Sequence, residues 1–271
     1  MFLIIYMENL KMFCEKEKIR IVVKVGTSTL THKTGKTNIA RIAKLASVLS
    51  DLKNAGYEVI LVSSGAIGVG TGKLRLSEKP STTKGLQAAA AVGQCELMFL
   101  YDKLFSEYGV VVSQLLFTSD ELYNEESKKH LVDTFNQLLE YDCLPIVNEN
   151  DSISVEELLN GDNDCLSARV AEITNSDLLI LLTDTDGLYD SNPAENPDAR
   201  LIENVDRIND DIRSIAGGAS AKGTGGFITK VKAAEIATSA GIPVVIMNGA
   251  KPTDIYKVLD GKSVGTFFKA V

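Results

Sequence analysis

Residues 178–182 read Leu-Leu-Ile-Leu-Leu, an unbroken apolar run between Asp177 and Thr183. A strand with one face in water alternates apolar and polar residues, whereas a strand that is buried on both faces is apolar throughout. The run therefore predicts a central strand over 177–183, in a parallel sheet covered by helices on both faces.

The rest of the chain places similar apolar runs between stretches of helical periodicity. Further strands are predicted over 20–25, 57–63, 110–114, 143–148 and 242–247, with a last one inside 263–268. Helices are predicted near 38–55, 84–107, 125–141, 163–174 and 227–240. This alternation predicts one α/β domain over 20–271, a three-layer α/β/α sandwich with a mainly parallel central sheet. Residues 1–19 are predicted to be an N-terminal extension.

Polar residues directly follow several of the predicted strands, and open parallel sheets bind ligands at the carboxyl ends of their strands. The clusters are Lys24-Val25-Gly26-Thr27-Ser28, Ser63-Ser64-Gly65, Asn148-Glu149-Asn150-Asp151 and Thr183-Asp184. Packing alone does not explain so many polar clusters on one edge of a sheet. We therefore expect the functional site at that edge.

Two lysines stand in glycine-containing segments. Lys24 ends an apolar run and precedes Gly26, and Lys230 closes the segment 223–229, Gly-Thr-Gly-Gly-Phe-Ile-Thr. Lysine is rarely buried without a partner, and glycine lets backbone N–H groups approach an anion. The two lysines together indicate a phosphate site. Taken singly, Lys24 fits a surface lysine on an edge strand, Gly225-Gly226 a flexible loop, and 162–164 a helix N-cap.

The common nucleotide motifs are absent. Gly72-Lys73 is followed by Leu74, and Gly261-Lys262-Ser263 has Tyr256 where a Walker loop needs its first glycine. The run 68–72 has Lys73 at the third glycine position of a dinucleotide fingerprint. We interpret these segments as glycine-rich helix ends, so an ATP site in this chain must be of another kind.

Six segments in order resemble the amino acid kinase family, over about residues 20–268. They are 22–28 (VVKVGTS), 63–67 (SSGAI), 148–151 (NEND), 161–168 (GDNDCLSA), 182–189 (LTDTDGLY) and 223–230 (GTGGFITK). Within the family they are most similar to the branch that phosphorylates the γ-carboxylate of glutamate, the first step of proline synthesis. Many bacterial members of that branch continue into a PUA domain. This chain ends at Val271, so we expect the kinase domain alone to fold, phosphorylate glutamate and respond to proline.

The resemblance implies a set of ligands and of site residues. ATP would be the phosphoryl donor, with Mg²⁺ on its phosphates, and L-glutamate the acceptor; no residue of the chain is assigned as a metal ligand. The implied catalytic residues are Lys24, Lys230 and Asp164, with Asp164 holding the two lysines in position. The implied glutamate-binding residues are Ser64, Gly65, Ala66, Asn148, Asn163 and Asp151, the last taking the ammonium group. The implied nucleotide-binding residues are Lys24, Gly26, Thr27, Ser28, Thr183, Asp184, Thr224, Gly225, Gly226, Phe227, Ile228, Thr229 and Lys230.

Composition limits the possible partners. The chain has 271 residues and a formal net charge of −8, which argues against nucleic acid or an anionic membrane as a partner. The opening run MFLIIY is far shorter than the roughly 20 apolar residues that cross a bilayer. Four dispersed cysteines and two histidines do not indicate a metal site or a His-dependent triad. We expect a cytoplasmic enzyme. The resemblance adds proline as feedback inhibitor, a homodimer or tetramer, and functional coupling to glutamate-5-semialdehyde dehydrogenase.

Three other functions stay open at this point. The chain could be another family member, of the acetylglutamate kinase or aspartokinase type or acting on carbamate or a nucleoside monophosphate. Asp151 favours a substrate with a free α-amino group. A non-catalytic amino-acid sensor would not need Lys24, Asp164 and Lys230. A dinucleotide oxidoreductase is disfavoured because the GxGxxG fingerprint is missing.

Overall fold

The apolar run at 178–182 lies inside an eight-stranded sheet in the computed structural model, which describes residue 16 and residues 18–32, 36–153, 163–218 and 226–271. Within these residues the strands are β1 (Arg20–Val25), β2 (Glu58–Ser63), β3 (Val112–Phe117), β4 (Leu144–Glu149), β5 (Leu178–Thr183), β6 (Asn204–Val205), β7 (Val244–Asn248) and β8 (Thr266–Phe268). Their spatial order is β3-β4-β2-β1-β5-β7-β8-β6. Neighbouring strands are parallel except for β7 and β8.

The helices follow the strands in alternation. In the described part of the chain they are α1 (Thr27–Leu30), α2 (Ile39–Asn54), α3 (Ala66–Lys73), α4 (Thr83–Ser106), α5 (Ser119–Tyr123), α6 (Glu125–Glu140), α7 (Asn163–Ile173), α8 (Asp210–Gly218), α9 (Phe227–Ser239) and α10 (Asp254–Leu259). Several begin at a side-chain cap: Asn38 accepts from the backbone N–H of Arg41, and Asn124 from that of Ser127. These caps satisfy donors that a helix start leaves without a partner.

Two apolar layers cover the sheet. On one face, alternate residues of β1, Ile21, Val23 and Val25, pack with α2 and α4. On the other face, Val22 packs with residues of α6, α7 and α9. Residues 178–182 are each 1% exposed or less, as a strand between two helical layers requires. The predicted three-layer α/β/α sandwich with a mainly parallel sheet is confirmed.

The observed elements differ from the predicted ones mainly at their ends. The third strand was predicted over 110–114 but spans Val112–Phe117, because its register with β4 runs from Leu144 to Glu149. Strand β6 has only two residues, too few to show a period, and was not predicted. The short helices α1, α5 and α10 and the glycine-rich α3 were also not predicted as elements. The predicted extension over 1–19 lies almost wholly outside the described residues.

The topology brings four strand ends together. Strands β4, β2, β1 and β5 are neighbours and parallel, so their carboxyl ends meet at one edge of the sheet. Lys24 lies opposite Val62 of β2 and Leu181 of β5, one residue before the end of β1.

Among the described residues, no helix has the length and apolarity that a bilayer crossing needs.

Candidate active site

A cavity of about 690 Å³ opens at this edge of the sheet. That volume lies within the range of small-molecule sites, which is about 300–1,000 Å³. Its walls come from all four strand ends and from the starts of α1, α3, α7 and α9. The lining residues are Lys24, Gly26, Thr27, Ser28, Ser64, Gly65, Ala66, Ile67, Gly68, Lys79, Asn148, Asp151, Asn163, Asp164, Leu182, Thr183, Asp184, Thr185, Gly187, Leu188, Tyr189, Ser191, Asn192, Pro193, Ala194, Gly226, Phe227 and Lys230.

The two glycine-flanked lysines meet at one carboxylate. Lys24 Nζ lies 2.6 Å from Asp164 Oδ1, and Lys230 Nζ lies 3.0 Å from Asp164 Oδ2. Thr229 Oγ1 also donates to Asp164 Oδ2, at 2.7 Å. We call Lys24, Asp164 and Lys230 the lysine clamp. Its three residues come from β1, the first turn of α7 and the first turn of α9, so the fold, and no local motif, assembles it.

The lysine clamp is buried and carries a net positive charge. Lys24, Asp164 and Lys230 are 5%, 2% and 9% exposed. Burial alone would raise the pKa of Asp164, but the ammonium groups of Lys24 and Lys230 and the Thr229 hydroxyl lower it to about 2. Asp164 is therefore ionised at neutral pH and balances one of the two lysine charges. The remaining positive charge lies beside the cavity, where an anion can reach it.

Side-chain amides join the ends of β2 and β4 to the start of α7. Asn163 Nδ2 lies 2.7 Å from Asn148 Oδ1, 2.9 Å from Ser64 Oγ and 3.1 Å from the carbonyl oxygen of Ser63. We call Ser63, Ser64, Asn148 and Asn163 the amide cluster. Asn163 Oδ1 is buried and has no hydrogen-bond partner in the described part of the chain. Because Asn163 lines the cavity, this acceptor suits a ligand that donates a hydrogen bond.

Asp151 supplies a carboxylate at the same end of the cavity. Burial and, to a smaller extent, the nearby carboxylate of Glu149 raise the pKa of Asp151 to about 6, against the opposing effect of Lys79. An acid whose charged form is disfavoured gains from a cationic partner. The surroundings of Asp151 therefore favour a ligand with an ammonium group.

Glycines keep the backbone open next to the lysine clamp. A Cβ atom on Gly26 would stand 3.6 Å from Lys24 Nζ, in the space beside the ammonium group. Gly65 has a φ of 98°, in the left-handed region that L side chains rarely adopt, and it caps the start of α3. The N–H groups at such starts have no partner within the helix. Backbone donors at these two helix starts suit anionic groups, such as a phosphate beside Lys24 or a carboxylate at the start of α3.

The structure gathers most of the predicted site residues around one cavity. All of the predicted glutamate-binding residues line it, as do Gly26, Thr27, Ser28, Thr183, Asp184, Gly226 and Phe227. Thr229 is absent from the lining and contacts Asp164 instead. Ile228 is 56% exposed and is not part of the cavity wall. Thr224 and Gly225 lie outside the described residues. The roles assigned to these residues stay predictions.

Part of the cavity wall was not predicted from the sequence. Gly187, Leu188, Tyr189 and the segment 191–194 form one side of it, and Lys79 reaches it from the α3–α4 connection. The motif at 182–189 and the turn-forming Asn192-Pro193 pair were the only signals for this wall.

The described residues contain no group of three or more His, Cys, Asp or Glu side chains that could hold a metal ion.

Comparison with known proteins agrees with this geometry. Residues 20–248 match the model of the amino acid kinase family. The glutamate 5-kinase of Clostridium perfringens is 53% identical over 260 residues, which cover 94% of this chain and 97% of that protein. The glutamate 5-kinase of Clostridium acetobutylicum is 53% identical over 250 residues, 92% of this chain and 94% of that protein.

Solved structures share the fold at low sequence identity. The carbamate kinase of Giardia lamblia bound to AMP-PNP superimposes with a TM-score of 0.65 at 19% identity, over 95% of this chain and 99% of that one. At this identity the likeness concerns the fold alone. The chain belongs to the amino acid kinase family, and within that family it groups with the glutamate 5-kinases.

Proposed function

We propose that the chain transfers the γ-phosphoryl group of ATP to the γ-carboxylate of L-glutamate, giving ADP and L-glutamyl 5-phosphate, the first step of proline biosynthesis. The observation that carries this function is the lysine clamp, in which two buried ammonium groups share one carboxylate beside a large cavity. The 53% identity to a glutamate 5-kinase supports the choice of acceptor.

The chemistry needs charge compensation more than proton transfer. The side-chain carboxyl of glutamate has a pKa of about 4.3, so it is already a nucleophilic anion at neutral pH. No general base has to activate it. The obstacle is repulsion between that anion and the phosphates, about 4 kcal/mol for unit charges 4 Å apart at an effective dielectric near 20. The net positive charge of the lysine clamp opposes this repulsion.

The proposed step is an in-line displacement at phosphorus. One γ-carboxylate oxygen forms a bond to the γ-phosphorus, while the bond from that phosphorus to the β–γ bridging oxygen breaks and its electron pair leaves with ADP. Lys24 and Lys230 stabilise the negative charge that spreads over the transferring group. Asp164 keeps both ammonium groups at fixed positions and limits their repulsion.

The amino-acid end of the cavity selects the acceptor. Asp151 pairs with the α-ammonium group, and the free Oδ1 of Asn163 can accept a second ammonium hydrogen. Ser64 and the backbone of Gly65 and Ala66 supply donors for the α-carboxylate. Glutamate held in this way extends its γ-carboxylate towards the lysine clamp.

The nucleotide end is assigned to the other wall. Thr183, Asp184 and Phe227 would contact the nucleoside, and the backbone of 26–28 and Gly226 would contact its phosphates. Mg²⁺ would neutralise charge on the phosphates, and it is usually held through them and through water with few protein carboxylates.

A coupled assay of ADP release tests the acceptor directly. The chain is assayed with Mg·ATP and, separately, with L-glutamate, N-acetylglutamate, L-aspartate and no acceptor. We expect release above the background with glutamate only, because Asp151 favours a free ammonium group and a shorter acceptor does not reach the phosphate. Hydroxylamine added to the glutamate reaction traps the acyl phosphate as a hydroxamate. ADP release without hydroxamate would contradict the proposed product, and a preference for N-acetylglutamate would support the alternative kinase type.

Regulation, assembly and location are part of the same proposal. Proline carries the α-carboxylate and the ammonium charge of glutamate but no γ-carboxylate, so it fits the amino-acid end without reacting. Inhibition should appear as a rise in the KM of glutamate with little change in the KM of ATP. We further propose a cytoplasmic homodimer or tetramer that is functionally coupled to glutamate-5-semialdehyde dehydrogenase, which sedimentation and pull-down experiments would test.

A further inference from the structure

Two residues of helix α4 contact the amide cluster from outside the cavity. Gln94 and Tyr101 are seven residues apart, about two helical turns, so they lie on the same face of α4. Gln94 contacts Asn148, and Tyr101 contacts Ser63. Neither residue lines the cavity. In the part of the chain that the structure describes, the side-chain hydrogen bond of each goes to a residue of the amide cluster.

Gln94 fixes the orientation of the Asn148 amide. The backbone N–H of Glu149 donates to Asn148 Oδ1 at 3.0 Å, and a backbone N–H can only donate. The amide oxygen of Asn148 must therefore point that way, and its nitrogen needs an acceptor on the other side. Gln94 Oε1 is that acceptor, at 2.8 Å. Asn148 Oδ1 is then in place to accept from Asn163.

The orientation of Asn163 follows from the same logic. Its Nδ2 lies 3.1 Å from the carbonyl oxygen of Ser63, and a carbonyl can only accept. The nitrogen of Asn163 is thus committed to the protein, and its buried Oδ1 is the atom left for a ligand. If Asn148 turned over, its amide nitrogen would face that of Asn163 and one of the two would have to move. Gln94 therefore controls a ligand acceptor that it does not touch.

Tyr101 fixes the turn between β2 and α3. Its hydroxyl lies 2.8 Å from Ser63 Oγ, and Ser63 Oγ donates to the carbonyl oxygen of Ser64 at 3.2 Å. Because the hydrogen of Ser63 is used there, the phenol is the donor to Ser63. Burial raises the pKa of Tyr101, so the phenol keeps its proton throughout the physiological range. The hydrogen bonds between Tyr101 and Ser63 and from Ser63 to Ser64 hold Ser64 in place, just before Gly65, where the backbone turns into α3.

We propose that Gln94 and Tyr101 are positioning residues for the amino-acid acceptor, acting through Asn148 and Asn163 and through Ser63 and Ser64. This inference rests on the proposed function, because it assumes that the amide cluster binds glutamate. The amide cluster joins β2, β4 and α7, whereas the nucleotide end is built on β5 and α9. Loss of either α4 contact should therefore weaken glutamate binding selectively.

Steady-state kinetics of Gln94→Met and Tyr101→Phe test the proposal. Methionine keeps the length of glutamine without its acceptor, and phenylalanine removes only the hydroxyl. We expect the KM of glutamate to rise about 5–50-fold in Gln94→Met and about 3–20-fold in Tyr101→Phe, as for a buried polar group left without its partner. The KM of ATP should stay within about twofold, because an unpaired group in the amide cluster does not touch the nucleotide end.

A rescue variant and two controls separate positioning from packing. In Gln94→Glu the carboxylate still accepts from Asn148, so most of the glutamate affinity lost in Gln94→Met should be retained. Gln87→Met changes a glutamine seven residues earlier on α4, whose side chain makes no hydrogen bond to the described residues. Tyr108→Phe changes a tyrosine that is 47% exposed. Both controls should keep the KM values of the unmodified chain.

Each result decides between the two proposals. Equal rises in the KM of glutamate and of ATP, or a loss that tracks a lowered Tm, would reduce Gln94 and Tyr101 to structural residues and overturn the inference. Unchanged kinetics in both variants would also overturn it, with the proposed function intact. An unmodified chain without glutamate-dependent ADP release would instead overturn the proposed function, and the positioning role with it.

Discussion

At the scale of single residues, the lysine clamp is costly without a ligand and useful with one. Two ammonium groups within 3.0 Å of one carboxylate repel each other and are removed from water. Burying charged groups costs several kcal/mol per ion even when they are paired. A core built for stability alone would do as well with apolar residues. The arrangement makes sense when a polyanion binds next to it and completes the charge balance.

Removing either lysine of the clamp should slow the chemical step. In Lys24→Ala or Lys230→Ala we expect kcat to fall by roughly 10²–10³, as when one donor to a developing negative charge is lost. The KM of glutamate should change by less than about threefold, because the amide cluster is untouched. Lys232→Ala, an exposed lysine of the same helix as Lys230, is the matched control. Near-normal kcat in either clamp variant would contradict the role of the clamp.

Asp151 should give the reaction an acid limb near pH 6. Its pKa is raised to about 6, so lowering the pH through that value protonates a carboxylate that must be charged to pair with an ammonium group. We expect kcat/KM for glutamate to fall as the pH drops below about 6, approaching tenfold per pH unit. The KM of ATP should not follow this limb.

The variant Asp151→Asn identifies the group that titrates. It should raise the KM of glutamate strongly at pH 7 and remove the acid limb, because no carboxylate is left to protonate. Glutamate itself titrates near pH 4.3, well below this range. An acid limb that persists near pH 6 in Asp151→Asn would assign the limb to another group.

At the scale of elements, helices α3 and α4 cross with their backbones in contact. A Cβ on Gly93 would stand 1.7 Å from the carbonyl oxygen of Ala66, and one on Gly70 would stand 1.8 Å from that of Ala89. Both distances are far below any real contact, so only glycine fits at this crossing. Gly93 directly precedes Gln94, and the close crossing therefore sets the distance at which α4 reaches Asn148.

Gly93→Ala should push the two helices apart. The new Cβ meets backbone atoms, which cannot move aside as a flexible side chain does. We expect a loss of about 1–3 kcal/mol in the free energy of unfolding, as for overpacked cores, together with a higher KM for glutamate. Thermal unfolding and kinetics on the same sample measure both effects. Gly217→Ala, with nothing within 4 Å of its Cβ, is the control and should be neutral or slightly stabilising. Equal melting temperatures for the two variants would contradict the crossing argument.

Sequence patterns predicted those strands and helices whose burial gives them a continuous or periodic run of apolar residues. Strand β5 is apolar throughout because both of its faces are covered, and it was predicted to within one residue. Strand β6 has two residues, and only its pairing with β8 makes it a strand. Helix α3 contains three glycines, which lower helix propensity, and its packing on α4 overrides that preference. Elements such as β6 and α3, which form because of partners that are distant in sequence, have no such pattern.

At the scale of the whole molecule, the sequence predicted the part of the site whose position follows from the parallel order of the strands. Polar residues after parallel strands must meet at one edge, which is how Lys24, Ser64, Asn148 and Thr183 were found together. Lys79 and the wall at 187–194 depend on the paths of long loops, which no local pattern encodes. Gln94 and Tyr101 lie inside a helix, where a polar residue that supports a site cannot be told by sequence from one that faces water.

The net charge of the molecule predicts how salt acts on nucleotide binding. The chain carries −8, and Mg·ATP carries about −2. A chain of this length has a radius of gyration of about 18 Å. At that distance the repulsion is about 2 kcal/mol at 0.01 M salt and about 0.4 kcal/mol at 0.15 M, because the Debye length shortens from about 30 Å to about 8 Å. Attraction to the lysine clamp acts over a few ångströms in a buried place, where salt screens it much less.

We therefore expect salt to strengthen nucleotide binding. Between 0.01 M and 0.15 M salt at constant Mg²⁺, the repulsion falls by about 1.6 kcal/mol, so the Kd of a non-hydrolysable Mg·ATP analogue should fall by up to about 15-fold. Titration calorimetry would measure this change. Repeating the titration with two different monovalent salts separates screening from specific ion binding, since screening depends on ionic strength alone. Lys24→Ala should bind more weakly at every salt concentration but show the same slope. A Kd that rises with salt would mean that the positive potential of the clamp extends beyond the cavity and dominates the field of the whole molecule.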